Sequence, residues 1–138
     1  MLNLLTKLKI EEVMHNPVNW FEIPVHDMDR AQSFYEKIFE IEISINPLEN
    51  SIMGWFPFNH TASGATGTLI KGESYVPSHA GTMVYFSVPE INDVLMRVEQ
   101  AGGKVLNTKF SIGEHGFCGH FEDTEGNRIA LHQGMASD

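Results

Sequence analysis

The feature that most restricts the fold of this 138-residue chain is a pattern carried twice, 63 positions apart. Phe21–Met28 ("FEIPVHDM") lines up with Val84–Ile91 ("VYFSVPEI"). In each copy a strand of alternating side chains runs into an acidic residue, Asp27 or Glu90, and then into an apolar helix start. In the first helix pattern Met28, Ala31, Phe34, Tyr35 and Ile38 recur at three- and four-residue intervals. In the second, Ile91, Val94, Leu95 and Val98 form the apolar face, and Gly102-Gly103 ends it. Behind the first helix "IEISINPL", "SIMGWFPF" and "GATGTLIKG" read as strands; behind the second, "KVLNTKF", "GFCGHFE" and "NRIALHQ" do. Pro24 places the end of the first strand near an edge or bulge. The order β-α-β-β-β therefore occurs twice, as expected of a duplicated module rather than a solenoid.

Neither half has enough apolar residues for a core of its own, so the two must pack together. The expected fold class is α+β: two tandem βαβββ modules forming a curved mixed sheet around a cleft, with helices outside. The single domain runs over residues 16–135, with module 1 about 16–72 and module 2 about 80–133. Residues 1–15 read as an N-terminal extension, a short amphipathic helix or a tail, and 136–138 as a tail.

Composition narrows the partners. A net charge of -9 repels nucleic-acid phosphates, so no nucleic-acid role is expected. The lone Cys118 excludes an intrachain disulfide framework and any Cys-rich zinc site. Lysines and glutamates interrupt the leucines of the N-terminus, and no stretch is long enough to span a bilayer, which gives a cytoplasmic, non-membrane expectation.

Two segments carry a family resemblance. "FEIPVHDMDRAQSFYEKIF" is similar to the first strand and "D-x-x-x-A-x-x-F-Y" helix of the vicinal oxygen chelate superfamily, and "FEDTEGNRIAL" to its closing "DPDGN-x-I-E-L" hairpin. That superfamily holds glyoxalase I, bleomycin- and fosfomycin-resistance proteins and extradiol dioxygenases, and the match covers roughly residues 16–133. The segments Phe56–Phe58, Ala62–Gly72, Tyr75–Ser78 and Gly81–Val88 also resemble small glyoxalase-like proteins, a group that implies a fold and a pocket but no particular activity. The resemblance implies a glyoxalase-like fold and a homodimer. In metal-dependent members one divalent ion is held by His and Glu from both modules. Carried across one at a time, those positions fall on Trp20, on Met83, on Ala130 and loosely near Ala65. Tryptophan and alanine offer no ligand atom and methionine sulfur suits hard ions poorly, so no metal cofactor is expected.

The same carry-over, extended by period-two alternation, predicts the cleft lining as Trp20, Glu22, Met83, Tyr85, Cys118, His120 and His132, with Ala130 at the ligand position. That is an apolar, aromatic lining with a few convergent polar groups, suited to a small molecule. Glu22, buried in such a place, should meet a histidine, a tyrosine or a substrate. His120 and His132 are either held by neighbouring carbonyls or act as ligands or acid–base groups. Two functions follow. One is metal-independent binding of a small molecule. The other is a lyase, isomerase or dioxygenase-type enzyme using Glu22 with His120 and His132, as an acid–base pair or as displaced ligands for Zn, Ni, Mn or Fe.

Overall fold

The computed structural model describes residue 3 and residues 15–136; apart from residue 3, the helix-or-tail expectation for the first fourteen residues lies outside them, as do the last two residues of the tail. Helix α1 runs over Met28–Phe39 and α2 over Ile91–Gln100, each opened by the acidic residue the repeat marks. Asp27 accepts from the Arg30 N–H and Glu90 from the Asn92 N–H, so each side chain satisfies an amide that the helix leaves without a partner. α1 stops at Glu40, which adopts a left-handed conformation (φ 55°) and returns its N–H to the Glu36 carbonyl.

The strands are β1 (Trp20–Pro24), β2 (Ser44–Pro47), β3 (Ser51–Trp55), β4 (Thr66–Gly72), β5 (Tyr85–Ser87), β6 (Lys104–Ser111), β7 (Phe117–Glu122) and β8 (Arg128–Gln133). They form two four-stranded sheets of identical design, ordered β1-β4-β3-β2 and β5-β8-β7-β6. In each, the first strand pairs parallel to the last and the remaining pairs are antiparallel. The expected tandem βαβββ modules are therefore present, and β1 and β5 stand at the edges of their sheets, an edge being one of the two positions that Pro24 allowed for β1.

One core serves both modules. Ile23, Val25 and Leu69 from the first sheet and Phe121, Ile129 and Leu131 from the second are buried with Phe34, Ile38, Ile91 and Val98 of the helices. Phe34 of α1 lies against Phe121 of β7, with ring centroids 5.9 Å apart. The opposite faces are open only in part: Trp55 and Tyr85 are exposed there, whereas Thr68, Cys118, His120 and Ala130 are buried.

The closing hairpin joins the two halves. Its turn residue Asp123 accepts from the Glu125 and Asn127 amides, which fixes the turn, and from the Tyr35 hydroxyl of α1 at 2.6 Å. Asn127 donates to the Pro24 carbonyl at the end of β1 and accepts from the Ser78 amide. Glu125, its side chain fully buried, accepts from the His26 and Asp27 amides at 2.9 and 2.8 Å and takes two bonds from Arg30. Burial alone would raise this carboxyl. The Arg30 guanidinium, the Asp27 and His26 amides and the Thr124 hydroxyl outweigh it and hold Glu125 at a pKa of about 2. Asp123 goes the other way, its carboxyl raised by burial.

Candidate functional site

A cavity of about 1000 Å³ opens between the edge strands β1 and β5. Trp20, Phe21 and Glu22 line it from β1, and Met83, Tyr85, Phe86 and Ser87 from β5 and the residues before it. Both faces of each strand contribute, because the cavity sits at the seam between the sheets. From the core side Phe21, Phe39 and Phe56 surround Phe86, with ring centroids 5.6, 4.6 and 5.5 Å from it. This floor is aromatic, its rings meeting at the distances of tilted and edge-to-face pairs.

The rim is polar. Glu22 is exposed and none of its side-chain oxygens is bonded to a described residue, whereas Arg97 is occupied, donating Nε to the Ile38 carbonyl at 2.9 Å and lying 3.6 Å from Glu40. Trp20 meets Trp55 of β3 edge-on, centroids 5.1 Å apart, and these are the chain's two tryptophans.

The sequence reading is met in half. Trp20, Glu22, Met83 and Tyr85 do line the cavity together. Cys118, His120, Ala130 and His132 share one sheet face with Tyr85, as alternation required, but lie one to two strands inward and outside the cavity. Glu22 is corrected in one respect: it is exposed and meets no histidine or tyrosine, so its charge stays in water rather than in an apolar enclosure. The histidines, for which two roles were open, make bonds of their own. His120 Nδ1 faces Asn107 Nδ2 at 2.6 Å and Arg128 Nη2 at 3.3 Å. Arginine has only donors, so this nitrogen carries the lone pair. Burial, and then the Arg128 charge, hold the His120 ring below the usual imidazole range. His132 gives Nε2 to the His115 carbonyl at 2.7 Å. Both rings are thus bonded within the second module, and no hydrogen bond joins either of them to Glu22.

A divalent ion does not fit the donor set. The positions to which the resemblance carries the ligands hold Trp20, Met83 and Ala130, none with a donor suited to a hard ion, and Ala130 is fully buried. Among the described residues no group of three His, Cys, Asp or Glu side chains is placed to hold a metal. Reasoning from strand alternation missed Phe21, Phe39, Phe56, Phe86 and Arg97: Phe21 and Phe86 lie on the other face of their strands, and Phe39 and Arg97 lie on the helices.

A model of the glyoxalase/bleomycin resistance protein/dioxygenase superfamily matches residues 18–131. The chain belongs to that superfamily. Within it, a glyoxylase-like domain-containing protein of Didymella fabae is 31% identical over 124 residues, covering 86% of this chain and 94% of its own. Solved superfamily folds superpose as well. A glyoxylase/bleomycin resistance protein/dioxygenase domain from Frankia sp. EAN1pec gives a TM-score of 0.67 at 17% identity, over 87% of this chain and 98% of that one. TnmS3, an antibiotic-binding protein from Streptomyces sp. CB03234, gives 0.66 at 18%, over 90% and 100%. A glyoxalase I mutant from Zea mays gives 0.63 at 15%, and this chain, 85% covered, spans about half (46%) of it. At those identities the likeness is one of fold. Among the described residues no helix is long and apolar enough to cross a membrane.

Proposed function

We propose that this superfamily member is a cytoplasmic, metal-independent binding protein for a small aromatic molecule, held in the cavity between β1 and β5. The observation that carries the reading is the cavity itself: about 1000 Å³, floored by phenylalanine rings, with an unpaired carboxylate at its rim. The antibiotic-binding neighbour of the same fold is in keeping with it. The reading is tested with N-phenyl-1-naphthylamine, a neutral aromatic fluorophore. Saturable one-to-one binding, with a change in the fluorescence of Trp20 and Trp55, is expected. Ala65 is exposed and lines the cavity, so Ala65→Trp fills it without burying anything new in the core. That variant should weaken dye binding at least about tenfold, equivalent to roughly 1.4 kcal/mol, with its melting temperature little changed. Undiminished binding in Ala65→Trp would place the dye elsewhere and end the proposal.

The reading includes a homodimer. Trp55, Tyr85 and Phe110 are 40–54% exposed on the faces turned away from the helices, an apolar surface that a second copy would cover. Sedimentation equilibrium at micromolar concentration should return twice the 15.5 kDa chain mass. A monomer at all concentrations would remove this part.

A further inference from the structure

The walls of the cavity are two strand edges, and their backbone groups name a ligand chemistry. In a parallel ladder alternate residues turn both N–H and C=O to the neighbour, and the residues between turn both away. Val25 donates to Ile70 of β4, which assigns Phe21, Ile23 and Val25 to the ladder and turns Trp20, Glu22 and Pro24 outward. The Pro24 carbonyl is indeed taken by Asn127, from outside the sheet. Val88 donates to His132 and Val84 accepts from Ala130, so in β5 Tyr85 and Ser87 turn outward. Among the described residues, no hydrogen bond is made to the backbone N–H or C=O of Trp20, Glu22, Tyr85 or Ser87, and all four residues line the cavity.

Both edges are also stopped in the same phase. Pro24 follows Glu22 by two positions and Pro89 follows Ser87 by two, and a proline has no N–H to offer an added strand. Within the paired strands each edge therefore presents two outward N–H groups, Trp20 and Glu22 in β1 and Tyr85 and Ser87 in β5. Charge points the same way: the free carboxylate of Glu22 stands beside its own unpaired amide, while Arg97 is engaged by Ile38 and Glu40.

We propose, building on the binding role of this cavity, that its ligand class is a short extended peptide or peptide-like molecule of three or four residues. Its amides add to the β1 and β5 edges, its aromatic side chain rests on the Phe86 floor, and its positive amino end faces Glu22. Strand edges bind extended chains in this manner generally, main-chain bonds giving affinity and side-chain pockets selectivity.

The probe is the tripeptide amide Phe-Thr-Phe-NH2 with a free amino terminus, titrated by tryptophan fluorescence beside the same peptide N-methylated at its internal amides. Binding of the first, weakened at least about tenfold by N-methylation, is expected, since methylation removes donors and keeps the rings. Glu22→Gln should weaken the unmethylated peptide several-fold at low salt. Glu22→Pro, which deletes one outward N–H and no ladder bond, should weaken it at least about tenfold further. Equal binding of both peptides overturns the inference, because the edges are then unused. Dye binding without peptide binding also overturns it and leaves the apolar-cavity reading standing. Failure of dye and peptide together removes both.

Discussion

Glu125→Ala is expected to lower the unfolding free energy by about 3–5 kcal/mol, a fall in Tm on the order of 10 °C or more for a chain of this length. The substitution leaves the His26 and Asp27 amides without their acceptor and the Arg30 guanidinium without its partner, all beside a buried turn. Urea unfolding with an unchanged slope would measure it, and a loss below about 1 kcal/mol would show that water replaces the carboxylate at no great expense. The pH dependence has a definite sign. Because the folded pKa of Glu125, about 2, lies below that of an ordinary glutamate, its contribution is complete above about pH 5 and is lost as pH falls through 2. A displacement of this size is worth about 3 kcal/mol. Asp123, raised by burial, titrates in the opposite sense, so the comparison that isolates Glu125 is wild type against Glu125→Gln. The two should differ by a nearly constant amount above pH 5 and converge in stronger acid.

Phe86→Ala should cost about 3 kcal/mol, within the range for truncating a phenylalanine in a packed cluster. The ring meets Phe21, Tyr35, Phe39 and Phe56 at centroid distances of 4.6–6.2 Å, so its removal strips one face from each. It is also the floor of the cavity, and dye affinity should fall at least about tenfold. Phe86→Leu separates the two effects. Leucine restores most of the buried volume and should recover more than half of the stability, yet it offers no flat ring and should recover little of the affinity. Parallel recovery of both would mean that the ring matters to the ligand through packing alone.

The duplication, both helices and the closing hairpin were legible because each rests on local periodicity and on capping chemistry that neighbours in sequence supply. Asp27 and Glu90 show this directly: a short acidic side chain before an apolar repeat has few other uses. The cavity was legible in part, for a geometric reason. Alternation assigns a residue to one face of a sheet but says nothing about where one sheet ends against another. Trp20, Glu22, Met83 and Tyr85 stand at that seam. His120 and His132 share a face with Tyr85 and are carried away from it by one or two strand widths. Phe21 and Phe86 belong to the opposite face and reach the cavity only because both of their strands are edges. Glu125 escaped notice for another reason. Its turn is plain in the sequence, whereas its partners lie 95 to 99 positions earlier and leave no local trace.

That last separation bears on how the chain is made. α1 is synthesised early, but the acceptors for the His26 and Asp27 amides and for the Tyr35 hydroxyl are residues 123 and 125. A nascent chain can form both helices and still lack the group that seats the first of them. Contacts this distant in sequence slow folding and keep partly finished intermediates exposed. The first helix is therefore seated by a hairpin that is translated after it, across 88 to 99 positions of chain, most of the second module included.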